Sequence, residues 1–70
     1  MFNLYFNDNY GNNRFVATCH EGDVTMNIRK YVKKLNPKYK IYYIRTWTEK
    51  DKTWYDVGSH SEFFYTERAD

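Results

Sequence analysis

Apolar and polar positions alternate at the start of the chain. Phe2, Leu4 and Phe6 interleave with Asn3, Tyr5 and Asn7, the period-two signature of a half-buried strand. Residues 8–13 (DNYGNN) are types that accept positive φ and bond to their own backbone, so they predict a turn. Extended spacing resumes over residues 14–20, with Phe15, Ala17 and Cys19 expected on one face and Val16, Thr18 and His20 on the other. Together these strands predict a first hairpin.

The period then changes. Val24, Ile28, Tyr31, Val32 and Leu35 recur at helical spacing and fall within about 100° of one another, which predicts one buried stripe. Asp23 is placed to cap the first turn. Asn36-Pro37 ends the helix, because the residue before a proline is pushed out of the α region.

Residues 38–64 carry the clearest hairpin signal. Residues 38–48 and 53–57 are rich in β-branched and aromatic side chains and flank the charged turn Glu49-Lys50-Asp51-Lys52. Folding about Lys50–Asp51 sets Thr48 opposite Thr53, Trp47 opposite Trp54, Thr46 opposite Tyr55, Arg45 opposite Asp56 and Ile44 opposite Val57. Each is a sensible cross-strand pair. Ser59-His60-Ser61-Glu62 after Gly58 has the S-x-x-E form of a capping box and predicts a helical turn or corner. Phe63, Phe64 and Tyr65 return to the core, with a short last strand as one form of that return, and residues 67–70 are expected to fray. The expected fold is α+β, hairpin–helix–hairpin (ββαββ): an antiparallel sheet of about four strands with one helix on one face.

This register divides the second hairpin into two faces. Lys40, Tyr42, Ile44, Thr46, Tyr55 and Val57 share one; Ile41, Tyr43, Arg45, Trp47, Trp54 and Asp56 share the other. One helix covers one side of a sheet, and an Arg–Asp pair is costly to bury. The second face is therefore expected to meet solvent, with Tyr43, Arg45, Trp47 and Trp54 as candidate partner-binding residues. Two structural readings stand beside this one. The tryptophans can simply support the hairpin with the arginine stem over them, or residues 63–65 can fold back over the patch.

Composition adjusts this picture. Leu, Ile, Val and Phe make up only 14 of 70 residues, close to a disordered composition, but 15 aromatic rings restore the missing apolar area and the net charge is only +2. A single domain of this size has a marginal core and often relies on a partner subunit, so a homodimer through the exposed aromatic face is an expectation. The lone Cys19 rules out an internal disulfide and suggests a reducing, cytoplasmic compartment. No apolar run is long enough to cross a bilayer, and the N-terminus lacks a signal-peptide pattern.

Charge is segregated. Residues 29–40 hold Arg29, Lys30, Lys33, Lys34, Lys38 and Lys40 with no acid, whereas the rest of the chain sums to −4. Such a patch is most simply a solvated helix face, but it can also meet an acidic protein, or phosphates with Tyr43 and Trp47 stacking on bases. Met26, an adaptable side chain near Lys30 and Lys33, favours a protein contact. Cys19, His20 and His60 lack metal-ligand spacing, so no metal or other cofactor is expected. No nucleophile, base and orienting acid stand at recognisable spacing, which predicts a chain that is not an enzyme.

The segment Asp56-Val57-Gly58-Ser59-His60-Ser61-Glu62-Phe63-Phe64, preceded by KIYYIRTW and a charged helix, resembles small uncharacterised proteins of phages and prophages of Gram-positive bacteria. The resemblance extends loosely over most of the chain. It implies a class of phage accessory proteins that bind and inhibit host factors, anti-CRISPR and other anti-defence inhibitors among them. It carries no catalytic residues. Many such inhibitors mimic DNA with acidic surfaces; this chain is mildly basic, so inhibition is expected through the basic helix or the aromatic sheet face.

Overall fold

Among the described residues, strand alternation, one amphipathic helix and a two-residue turn build a five-stranded antiparallel sheet with a single helix across one face. The fold is a computed structural model that describes residues 1–8, 11–38, 41, 43–57 and 63–69. The elements are β1 (Phe2–Asn7), β2 (Asn13–Cys19), a 3-10 turn (Glu21–Asp23), α1 (Val24–Leu35), β3 (Ile44–Glu49), β4 (Lys52–Val57) and β5 (Phe63–Arg68). The strand order is β2-β1-β5-β4-β3.

The expected four strands and ββαββ order therefore become five strands and ββαβββ. The added strand is the C-terminal segment, which does not fray over Glu67 and Arg68. β5 lies at the centre of the sheet and joins the two hairpins, pairing Phe64 with Phe6 on one side and with Tyr55 on the other. The Ala69 N–H donates to the Met1 carbonyl at 3.1 Å and ties the end of the strand down. Phe64 and Thr66 alternate inward against Phe63 and Tyr65, so the return expected at 63–65 takes its strand form and runs on to Arg68.

One side of the sheet forms the core with the helix. Leu4, Phe6, Tyr55, Val57 and Phe64 pack against Val24, Ile28 and Val32, with Cys19 at the edge. Phe6, Phe64 and Tyr31 form a triangle of rings with centroids 5.0, 5.2 and 5.8 Å apart, each contact adding about 0.5–1.5 kcal/mol beyond burial. Leu35, expected in the buried stripe, is 55% exposed, because it sits in the last helical residue before the chain turns away. Asp23 occupies the N-cap position, but its side chain makes no cap hydrogen bond. The 3-10 turn leads the chain into the helix instead, and Asn27 Nδ2 donates to the Asp23 carbonyl at 2.8 Å.

Two faces differ from expectation. β2 carries a bulge: Leu4 pairs with Ala17 but Tyr5 pairs with Phe15, leaving Val16 as the extra residue. Val16 packs on the core, and Phe15 crosses to the opposite side from Ala17 and Cys19. β3 begins at Ile44, not at residue 38; Lys38 lies in a turn, and Ile41 packs against the core instead of sharing the outer face. The corner expected at residues 58–62 and the inward placement of Lys40 and Tyr42 lie outside the described residues.

Candidate functional site: the open sheet face

The β3–β4 register is the expected one from Ile44↔Val57 to Glu49↔Lys52. It puts Trp47 and Trp54 on the side of the sheet away from the helix, since their neighbours Tyr55 and Val57 enter the core. The two indoles stack with centroids 6.4 Å apart and an interplanar angle of 11°.

That pair is one end of a longer row. β5 brings Tyr65 beside Trp54 at 4.9 Å, and β1 brings Tyr5 beside Tyr65 at 5.1 Å, stacked at 20°. Phe15 of β2 then meets Tyr5 edge-on at 5.9 Å. Phe15, Tyr5, Tyr65, Trp54 and Trp47 thus form a continuous line of rings, one from each strand, across the full width of the sheet. Its ends are open: Phe15 is 59% exposed and Trp47 41%, whereas Tyr65 in the middle is only 6% exposed. Phe63 joins the row by an edge contact with Trp47 at 6.0 Å.

Charge on this face is paired. Arg45 Nε donates to Asp56 Oδ2 at 3.1 Å, and its Nη2 donates to the same oxygen. The Asp56 carboxylate holds the guanidinium above its ordinary pKa. Contrary to the expectation from burial cost, Asp56 is itself buried even though its face is open. It sits in register between Arg45 on one side and Phe63 on the other. The arginine end stays in water and lies over the Tyr43 ring, 5.5 Å from its centroid. Lys52 Nζ lies 3.5 Å from Glu67 and 4.8 Å from the centre of the Tyr65 ring. Burial pushes the Tyr65 hydroxyl's pKa up, with Lys52 pulling it partly back. Beyond the rings, Thr18 donates to Asn3 at 2.6 Å and Asn7 donates to Asn13 at 2.8 Å, which gives the β1–β2 end a polar border.

Of the candidate residues, the structure brings Tyr43, Arg45, Trp47 and Trp54 together on this face. Met26, Arg29, Lys30, Lys33 and Lys34 are exposed on α1, which covers the other side of the sheet. A single nucleic-acid strand stacked on Tyr43 and Trp47 would therefore have the sheet between its bases and the helix cations. Phe15, Tyr5, Tyr65 and Phe63 were not among the candidates. Tyr5 was legible as the aromatic residue on the polar side of β1, but Phe15 needs the bulge, and Tyr65 needs the non-local pairing of β5.

Cys19 is buried and His20 exposed, and the described residues contain no group of three potential metal-ligating side chains. No helix among the described residues is long and apolar enough to cross a membrane. The fold and this face define a small α+β domain with an aromatic sheet surface. Comparison with protein-family models, with curated proteins and with solved structures returns no match.

Proposed function

We propose that this chain is a non-enzymatic binding protein that engages another protein through its open sheet face. The observation that carries this reading is the row of five rings, one per strand, on the side that the helix leaves uncovered. Tryptophan, tyrosine and arginine dominate binding energy where they can be fully desolvated, and Trp47, Tyr43 and Arg45 all stand exposed here. The face offers no cationic excess, because Arg45 is matched by Asp56 and Lys52 by Glu67. That balance suits a protein surface better than a phosphate backbone, which requires unneutralised cations. The resemblance of residues 56–64 to phage proteins makes the partner a host factor, with a CRISPR effector or another defence component as the case to examine first.

The test compares recovery of host proteins by the wild-type chain, by a Trp47→Ala/Trp54→Ala variant and by a Lys33→Ala/Lys34→Ala variant. The reading expects the partner to be lost with the first variant and kept with the second. Equal recovery by the wild type and the tryptophan variant would remove the aromatic face from the account. Oligonucleotide binding, measured as salt is lowered, addresses the competing nucleic-acid reading, since phosphate contacts must strengthen as salt falls.

A further inference from the structure

An open sheet has two edges, and they differ here. The β2 edge is interrupted by the bulge at Val16, a usual way of discouraging strand addition. β3, at the other edge, pairs with β4 without a break, contains no proline or bulge, and has no described strand on its outer side. Its hydrogen-bonding phase follows from the turn. Lys50 and Asp51 form a two-residue loop closed by Glu49 and Lys52, and such a closing pair exchanges both main-chain hydrogen bonds. Every second pair does the same, so Trp47 and Arg45 turn their N–H and C=O groups toward β4. Thr46 and Thr48 turn theirs to the outer edge.

We infer that this edge is a homodimer interface, in which β3 pairs antiparallel with β3 of a second copy about a two-fold axis at Trp47. The side-chain order makes the strand complementary to itself in that register. Arg45 meets Glu49 of the second copy, Glu49 meets its Arg45, and each pair joins opposite charges on the open face. Thr46 meets Thr48 of the second copy, and these pairs exchange the outward main-chain hydrogen bonds. Trp47 meets Trp47 at a non-hydrogen-bonded position, where Cα atoms approach to about 4.5 Å. Arg45 can serve both acids, because its side chain is 69% exposed and a guanidinium has five donors. The row of rings then runs on across the axis in a ten-stranded sheet. This places the dimer contact at the sheet edge and leaves the aromatic face open, in contrast to a dimer formed face to face. It does not depend on the function proposed above.

An edge contact of five residues from each copy is small beside the roughly 1,600 Å² of a standard interface, so the dimer should form with rising concentration. Sedimentation equilibrium should show the mass moving from 8.6 kDa to twice that value. A Trp47→Cys variant should become cross-linked between copies under mild oxidation, with the 47–47 bond found by mass spectrometry, because the Cα spacing suits a disulfide. Glu49→Cys should not, since the register places its two copies far apart. Thr48→Pro removes an outward N–H without touching the β3–β4 ladder and should keep the chain monomeric. If that variant loses its β-sheet circular dichroism, Glu49→Arg replaces it, with an expected weakening of about tenfold or more as attraction becomes repulsion. A chain that stays monomeric at every concentration overturns the inference. So does cross-linking at Glu49→Cys equal to that at Trp47→Cys, or a dimer whose affinity is unchanged by Thr48→Pro or Glu49→Arg.

Discussion

At the residue scale, two positions carry unusual conditions. Lys50, first in the β3–β4 turn, has φ of 58° and is the only described non-glycine residue with positive φ. A side chain with a Cβ pays for that conformation and glycine does not. Lys50→Gly should stabilise the fold by about 0.5–1 kcal/mol, after the entropy that glycine costs in the unfolded chain; urea denaturation measures it, and a loss of stability would contradict the assignment of strain. Tyr55 faces the core and shares a hydrogen bond with Thr66; burial raises its pKa above 10.0, the bond pulling it partly back. Tyr65 is raised too, first by burial. Well below pH 10 these tyrosines are protonated in both folded and unfolded chains. As the pH rises past about 10, those of the unfolded chain ionise first, so the folded state holds more protons and stability falls. Denaturation midpoints from pH 9 to 11.5 should decline, and Tyr55→Phe should flatten the decline. An identical slope in that variant would show that Tyr55 is not the source.

At the element scale, β5 holds the fold together. It supplies the central strand, and Phe64 is among the largest fully buried side chains. Phe64→Ala should cost about 3–5 kcal/mol, which is most of the stability of a domain this small. Removing residues 63–70 should leave a chain without cooperative unfolding, whereas a frayed tail could be lost with little effect. Thermal melts followed by circular dichroism distinguish the two. The same contrast shows which parts of the fold were legible in the sequence. The β3–β4 register could be read because every pair lies within a few residues of one turn, and Arg45–Asp56 and Trp47–Trp54 make alternatives poor. The helix could be read from Val24, Ile28 and Val32. β5 pairs with β1 across about sixty residues of chain, and no local pattern encodes that closure. The β2 bulge was equally hidden, because alternation through Phe15, Ala17 and Cys19 looks regular until Val16 is set aside as the extra residue.

On the scale of the whole molecule, the sheet separates two surfaces of different chemistry. The helix side displays Arg29, Lys30, Lys33 and Lys34 in water, and the other displays aromatic rings with paired charges. Tyr43, Arg45, Trp47 and Trp54 were legible as one candidate face because hairpin alternation groups them, but the basic helix joined them only through charge, and geometry puts it on the other side. Replacing all four helix cations with glutamine should therefore leave binding through the aromatic face unchanged in titrations with the recovered partner. A large loss would shift the contact to the helix. The central claim is that the row of rings lies on the side opposite the helix, with its ends at Phe15 and Trp47 open to solvent. Paramagnetic broadening of aromatic-ring NMR signals by a soluble nitroxide tests it without a partner in hand. Strong broadening of Phe15 and Trp47, with Phe6, Tyr55 and Phe64 protected, is the predicted result; protection of Phe15 and Trp47 equal to that of Phe64 would contradict it.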